Sequence, residues 1–209
     1  MAASVARGGM RVLLGVAIIA ALALSSTARA SLIGTGPASY CDTTASQKFS
    51  RWGDSSYYAS LLNDGFESYG GWTLSGGARV VSGNEPFYVN GNTADRHSLL
   101  LPAGSSAYSG TVCFALGDWH LRLMMKRLSA TGGLRVQVIV PSLVGILTVL
   151  DGGTVSGTST WAPSPRLELL LSNVISLLGT RAVAFRFTPV GVGASYQIDD
   201  VYLDPWKCT

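Results

Sequence analysis

The segment "ASYQIDDVYLDP", residues 194–205, places two carboxyl side chains, Asp199 and Asp200, next to each other among β-forming residues. Successive side chains of a strand face opposite ways, so Asp199 is expected to share a face with Val201 and Leu203. If that face belongs to the core, Asp199 points inward and Asp200 points to solvent or to a loop. An inward carboxylate needs hydrogen-bond donors or a cation beside it.

Residue patterns of catalysis are absent from the sequence. A Ser/His/Asp triad needs a histidine base, and the chain has His97 and His120 alone, each inside a predicted strand. The sequence contains neither a G-x-S-x-G elbow nor a phosphate-binding glycine loop. The chain has three Glu residues, and nothing in the sequence sets two carboxylates face to face as a glycosidase requires. The sequence therefore predicts no enzyme activity.

From Gly71 onward, short β-type runs alternate with turn residues, which is typical of antiparallel strands. The run "LRVQVIV" alternates clearly and should place Leu134, Val136, Val138 and Val140 on one buried face. The spacing of the runs predicts an all-β sandwich of about eight or nine antiparallel strands.

The N-terminal residues 1–30 have the pattern of a secretory signal peptide. Arg7 and Arg11 precede an apolar run from Val12 to Leu24, and "ARA" at 28–30 resembles a cleavage site. An uncleaved anchor is the alternative, but this run of 13 residues is shorter than the roughly 20 of a spanning helix. We therefore expect a protein secreted to the extracellular space or the cell envelope, with no membrane span after cleavage.

The rest of the chain divides into an irregular arm, residues 31–60, a sandwich domain, residues 61–205, and a C-terminal tail, residues 206–209. Of the 15 basic residues, three lie in the segment 1–30, so 12 remain against 12 acidic residues. A neutral chain gives no support for binding nucleic acid. Nothing in the sequence indicates the oligomeric state.

Three cysteines, Cys41, Cys113 and Cys208, are expected to yield one disulfide in an oxidising compartment. We favour Cys41 with Cys113, which would tie the arm to a strand and leave Cys208 free. Cys41 with Cys208 is the alternative, because the two ends of such sandwiches lie near each other. A zinc site is not expected, since neither histidine forms a cluster with the cysteines.

Two segments carry a family resemblance. The segment "NDGFES", with Asn63, Gly65, Phe66 and Glu67, is followed by Trp72, and the chain closes with "IDDVYL". Together they resemble the galactose-binding-like carbohydrate-binding modules of families four, nine and twenty-two, although Asp64 separates the Asn and Gly that the family has adjacent. The resemblance spans residues 61–205.

The resemblance implies a jelly-roll β-sandwich whose first and last strands lie together, often with a structural Ca²⁺ ion at their junction. Calcium takes about six to eight oxygen ligands, so carboxylates at that junction suit it. Our candidate metal ligands are Glu67 and Asp199, the latter because it is expected to share the face of Val201 and Leu203. The alternative is that the inward Asp accepts backbone N–H bonds and binds no metal.

The predicted function is non-catalytic binding of an extracellular or cell-wall glycan by an aromatic loop edge or a sheet face. Sugar rings stack on aromatic side chains, and their hydroxyls bond to polar neighbours. The alternative function is that of an exported structural or protein-interaction sandwich without a sugar site. The candidate ligand-binding residues lie in the loop 82–96 and in "LGDWH", and they are Asn84, Glu85, Phe87, Tyr88, Arg96 and Trp119.

Overall fold

The computed structural model describes residues 44–68, 70–114, 118–141, 147–169 and 181–205, with the backbone alone at 118–119, 141, 147, 181 and 205. These residues form a short 3₁₀ helix, Ser50–Trp52, and thirteen strands. The strands are β1 (Ala59–Ser60), β2 (Trp72–Ser75), β3 (Arg79–Ser82), β4 (His97–Leu101), β5 (Ser106–Ser109), β6 (Val112–Phe114), β7 (Asp118–Arg127), β8 (Gly133–Pro141), β9 (Leu147–Val155), β10 (Ala162–Pro163), β11 (Leu167–Glu168), β12 (Arg181–Val190) and β13 (Tyr196–Pro205). Within these residues, no helix is long and apolar enough to cross a membrane.

The strands pair antiparallel in two sheets, which confirms the predicted all-β sandwich. The first sheet has the order β10-β7-β13-β4-β3, with β1 paired to β13 and β11 paired to β7. The second sheet has the order β2-β5-β12-β8-β9, with β6 paired to β12. The strand count exceeds the prediction because four of the thirteen strands, β1, β2, β5 and β10, have only two or four residues and give no β-type run in the sequence.

The core lies between the two sheets and is built by alternation along the strands. In β8, the side chains of Leu134, Val136 and Val138 are fully buried in it, and Val140 packs against it half-buried. The predicted face of this strand is therefore confirmed. On β12, Phe185 and Phe187 enter the same core and leave the residues between them on the outer face of the second sheet.

The outer face of the first sheet is covered by the described part of the arm and by the loop between β3 and β4. Phe49 and Tyr58 of the arm form a second apolar cluster with Met124 and Tyr202 of the sheet, and all four are fully buried. The arm also joins the sheet directly, because β1 pairs with β13. Residues 44–60 are therefore packed against the sandwich and are not a loose extension of it.

A buried ionic network fixes the arm to the sheet. The carboxylate of Asp54 accepts hydrogen bonds from the Tyr58 hydroxyl at 2.7 Å and from both the Arg122 and the Arg166 guanidinium groups. Asp54 is 3% exposed. Because each bond ends on the same carboxylate, this one residue ties the arm to β7 and to the segment before β11.

A β-bulge interrupts β13 and corrects the expected facing of the two aspartates. Asp199 pairs with Met124, but Tyr202, not Val201, pairs with Arg122, so the bulge inserts one extra residue. Asp200 lies in the bulge with a φ of 48°. Asp199 consequently shares the outer face with Met124, whereas Val201 and Leu203 face the core.

Asp200 is expected from the sequence to point to solvent or to a loop. It does not point to solvent, so that part of the expectation is wrong. Both aspartates are 0% exposed, because the loop between β3 and β4 folds over the bulge.

Several predicted segments fall outside the described residues. They are the signal peptide, residues 31–43 of the arm, Cys41, the side chain of Trp119, and the tail with Cys208. Cys113 is half-buried on β6. The disulfide between Cys41 and Cys113 therefore stays a prediction.

Candidate functional site

Three buried carboxyl groups meet where the bulge of β13 lies under the loop between β3 and β4. Asp199 and Asp200 come from the bulge, and Asp95 comes from the loop. One carboxylate oxygen from each lies within 4.8 Å of the others, and all three residues are 0% exposed. We call Asp95, Asp199 and Asp200 the acidic cluster.

The hydrogen bonds around the acidic cluster satisfy it incompletely. The N–H of Glu85 donates to Asp199 Oδ2 at 3.0 Å, and Asn90 Nδ2 donates to Asp95 Oδ2 at 2.5 Å. Asp95 Oδ1 and Asp200 Oδ2 are buried and have no hydrogen-bond partner among the described residues. Such orphaned oxygens are costly, because a buried polar atom without a partner loses its hydration without compensation.

Burial and mutual repulsion shift the titration of these groups upward. Burial, reinforced by the charge of Asp200, raises the pKa of Asp199 to about 10. Burial, together with the charges of Asp64 and Glu85, raises the pKa of Asp200 to about 9. For Asp95, burial and the neighbouring Glu67 raise the pKa to about 7. The chain therefore brings these carboxyl groups together without supplying enough positive charge to ionise them.

The donor set of the acidic cluster fits a hard cation that prefers oxygen ligands. No Lys or Arg among the described residues forms an ion pair with any of its three members. Gly65 lies against the cluster, because a Cβ there would be 3.1 Å from Asn90 Nδ2 and 3.3 Å from Asp95 Oδ2. Carboxylates with free oxygens and an adjacent glycine are compatible with Ca²⁺.

Glu67, the other predicted ligand, lies beside Asp95 but is not a member of the acidic cluster. It accepts hydrogen bonds from the backbone N–H groups of Arg96 and His97 at 2.7 and 2.6 Å. Although partial burial opposes it, the adjacent Asp95 carboxyl group, these two N–H donors and the His97 side chain lower the pKa of Glu67 to about 2. Glu67 thus holds the start of β4 and touches Asp95, whereas Asp199 meets Asp95 and Asp200 directly.

The loop residues predicted to bind ligand are spread between buried and exposed positions. Glu85 is 0% exposed, and its two carboxylate oxygens accept the N–H groups of Phe87 and Val89, both at 2.6 Å. Phe87 packs edge-on against Trp52 of the arm with a ring-centroid distance of 5.2 Å. Tyr88 is 37% exposed.

The remaining two loop residues flank this region. Asn84 is half-buried, and its Nδ2 has no partner among the described residues. Arg96 is exposed, and its guanidinium donates to the carbonyls of Thr93 and Asp95. Of the six predicted residues, Phe87 and Tyr88 therefore supply the aromatic surface at this edge.

A second candidate surface lies on the outer face of the second sheet, where side chains form a row across all five strands of the sheet order. The strand registers place one residue of each strand beside the next. In order from β2 to β9, the row is Thr73, Tyr108, Arg186, Gln137 and Asp151. Its three central members are half-buried and its two ends are exposed. We call these five residues the transverse row.

The centre of the transverse row combines an aromatic ring with unused hydrogen-bonding groups. The Arg186 guanidinium lies 5.2 Å from the centre of the Tyr108 ring. Arg186 Nε and Thr188 Oγ1, two positions along β12, are buried and have no hydrogen-bond partner among the described residues. The row thus places one aromatic ring, one guanidinium and one amide on neighbouring strands of the same face.

The sequence contains a signal for this surface that the loop prediction did not use. The alternation in "AVAFRFTP" places Phe185 and Phe187 inward, which turns Arg186 and Thr188 outward on the same strand. What alternation alone cannot give is the register that sets Tyr108 and Gln137 beside Arg186.

Comparison with known proteins bears on the fold. No family model matches the chain, and no curated protein matches it. Among solved structures, the CBM22-1 xylan-binding domain from Paenibacillus barcinonensis Xyn10C is similar, with 15% identity and a TM-score of 0.47, over 68% of this chain and 90% of that one.

Two further solved structures are similar to the chain. The C-terminal family 22 carbohydrate-binding module of Clostridium thermocellum Xyn10B is 14% identical over 74% of this chain and 97% of its own, with a TM-score of 0.43. The module TmCBM61, solved with beta-1,4-galactotriose, is 16% identical over 69% and 97%, with a TM-score of 0.38. All three structures are carbohydrate-binding modules, the group that the opening and closing segments of the sequence resemble.

Proposed function

We propose that this protein is a non-catalytic glycan-binding module and that the transverse row on the second sheet is its binding surface. The observation that carries the proposal is the row itself, in which Tyr108, Arg186 and Gln137 adjoin on three neighbouring strands. An aromatic ring beside amide and guanidinium groups is the combination that a sugar requires, because a sugar ring has an apolar face and a polar rim.

The outer faces of the two sheets are covered to different extents, and this difference supports placing the binding surface on the second sheet. The outer face of the first sheet is occupied by Phe49, Tyr58 and the loop between β3 and β4. On the second sheet, Thr73 and Asp151 at the ends of the row are exposed. A long polymer could therefore cross the second sheet without displacing any described part of the chain.

The engagement of the two histidines supports a non-catalytic role. His97 Nδ1 lies 3.1 Å from a Glu67 oxygen, and His120 Nδ1 lies 3.1 Å from Asp204 Oδ2. Among the described residues, neither imidazole has a Ser hydroxyl as hydrogen-bond partner. A nucleophile and its base should be within hydrogen-bond reach of each other. The signal-peptide pattern of residues 1–30 supports action outside the cell.

Affinity electrophoresis of the purified protein through gels containing single polysaccharides tests the proposal. We expect at least one polysaccharide to retard the protein and Tyr108→Ala to abolish the retardation. The matched control is Tyr88→Ala, which removes the exposed tyrosine of the loop edge and should leave the retardation unchanged. The opposite result would place the site on the loop. A folded protein that no polysaccharide retards would favour the protein-interaction alternative.

We also propose that the acidic cluster holds a structural Ca²⁺ ion, with Asp95, Asp199 and Asp200 as ligands and Glu67 beside Asp95. Support comes from the orphaned buried oxygens of Asp95 and Asp200 and from the convergence of the three carboxylates within 4.8 Å. When bound, the ion would neutralise the carboxylates. Within the chain itself, the hydrogen bond from the Glu85 N–H to Asp199 holds the loop against the bulge of β13.

A further inference from the structure

We infer that the glycan recognised by the transverse row carries carboxylate groups, so that the ligand class is an acidic, uronate-bearing polysaccharide. This inference rests on the proposed function and deepens it, since it assigns the specificity of the same surface. The residue that carries it is Arg186, at the centre of the row on β12.

The Arg186 guanidinium lacks an internal counter-charge within the described part of the chain. Three other arginines each pair with a carboxylate: Arg122 and Arg166 with Asp54, and Arg135 with Asp151. Arg186 has no such pair there, and its Nε is buried with no acceptor. A half-buried cation without a partner is unfavourable, so this position favours an anion supplied from outside.

The neighbours of Arg186 hold the guanidinium in place without neutralising it. The Tyr108 ring lies 5.2 Å away, and the two rigid groups stack as a cation with an aromatic face. Gln137, beside it on β8, is uncharged. Thr188 Oγ1, on the same strand face, is also buried without a hydrogen-bond partner among the described residues, so it gives the guanidinium no counter-charge either.

The net charge of this face also favours an acidic ligand. The charged side chains described on it are Arg186, Arg135 and Asp151, and the last two pair with each other at 3.1 Å. The face therefore has one uncompensated positive charge at its centre. A guanidinium presents its N–H groups as a planar fork that matches the two charged oxygens of a carboxylate, whereas a sugar hydroxyl offers a single uncharged oxygen.

Affinity electrophoresis with paired polymers tests the inference on the full-length protein. Each of three acidic polysaccharides, polygalacturonate, alginate and glucuronoxylan, is compared with its own carboxyl-reduced form, which keeps the backbone and removes the charge. We expect at least one acidic polymer to bind about tenfold or more tightly than its reduced form. Raising the salt concentration should weaken that binding.

Two variants assign the preference to Arg186. Arg186→Gln should remove the preference for the acidic form, and Arg186→Lys should keep part of it, because the charge stays but the planar fork is lost. The control is Arg79→Gln, at an exposed arginine on the first sheet, which should keep the full preference. Thermal unfolding of each variant confirms that it is folded.

The outcomes separate this inference from the proposed function. If the protein binds reduced and acidic polymers equally, or if Arg186→Gln keeps the preference, the uronate assignment is overturned while glycan binding stands. If the folded protein binds none of the six polymers nor any neutral glycan, the proposed function fails and the inference fails with it.

Discussion

Asp199 shows that one extra residue in a strand can reverse which face of the sheet a side chain shares with its neighbours. Strict alternation assigns Asp199 to the face of Val201, but the bulge shifts the register and moves Asp199 to the outer face. The left-handed φ of 48° at Asp200 is tolerated because Asp is among the few non-glycine residues that adopt it readily. The pair of aspartates therefore marks a bulge whose carboxylates the overlying loop encloses.

Removal of a bound cation should destabilise the protein through these residues. We expect a chelator to lower the melting temperature by about 5 °C or more, since a ligand that binds only the folded state stabilises it by mass action. Asp199→Ala should melt at a lower temperature and show no further response to chelator. Differential scanning calorimetry with and without calcium measures both effects.

Asp151→Asn is the matched control for the calcium prediction. Asp151 lies in an exposed pair with Arg135 on the second sheet, so its variant should respond to chelator like the natural chain. Equal melting of the natural chain with and without chelator would remove the calcium proposal.

Asp54 is the residue through which acid should loosen the arm. Burial opposes its ionisation, but the hydroxyl of Tyr58, the N–H of Ser56 and the guanidinium groups of Arg166 and Arg122 outweigh burial and hold the pKa of Asp54 well below its usual range. A carboxyl group with a lowered folded-state pKa stabilises the fold above its unfolded pKa of about 3.9. This contribution is lost as the pH falls below that value.

Asp54→Asn should therefore cost about 3 kcal/mol of unfolding free energy at neutral pH, because it leaves two arginines without their carboxylate. The difference from the natural chain should shrink as the pH falls from about 4 to 2. Urea unfolding across this pH range measures it. The exposed pair gives the comparison: Asp151→Asn should cost less than about 1 kcal/mol. A constant difference at all pH values would exclude the assigned titration.

At the scale of elements, the arm shows that a segment without sequence periodicity can still pack against a sheet. Its sequence has no sustained period, so residues 31–60 are predicted as an irregular extension. In the described part, Phe49, Trp52 and Tyr58 nevertheless cover a sheet, and Ala59–Ser60 adds a strand to it. Such packing depends on isolated aromatic residues and a buried carboxylate, which contribute no pattern of period 2 or 3.6.

Phe49→Ala should behave as a core substitution although Phe49 lies in the arm. The side chain is 0% exposed and packs on Tyr58 and Tyr202, so its removal should cost about 3 to 5 kcal/mol. The control is Tyr57→Ala, at a neighbouring aromatic that is 44% exposed, which should cost much less. Chemical denaturation of both variants makes the comparison. Similar costs for the two would show that the arm does not cover the sheet.

At the scale of the whole molecule, the sandwich could be predicted because its strands alternate. The face of Leu134, Val136 and Val138 follows from spacing alone. The candidate sites could be predicted in part. Asp199 was recognisable from the closing segment, but Asp95 comes from a loop whose placement depends on the Glu85 carboxylate and on the bulge. The transverse row required strand register, which the tertiary structure fixes.

The position of β13 has a consequence for how the chain acquires its structure. This strand follows all the other described strands along the sequence, yet it lies between β4 and β7 and also pairs with β1. Before it arrives, β4 and β7 present unpaired edges, which invite association with other chains. The first sheet can therefore close only after residue 205 has been synthesised, and a chain that lacks β13, Tyr196–Pro205, would be prone to aggregate.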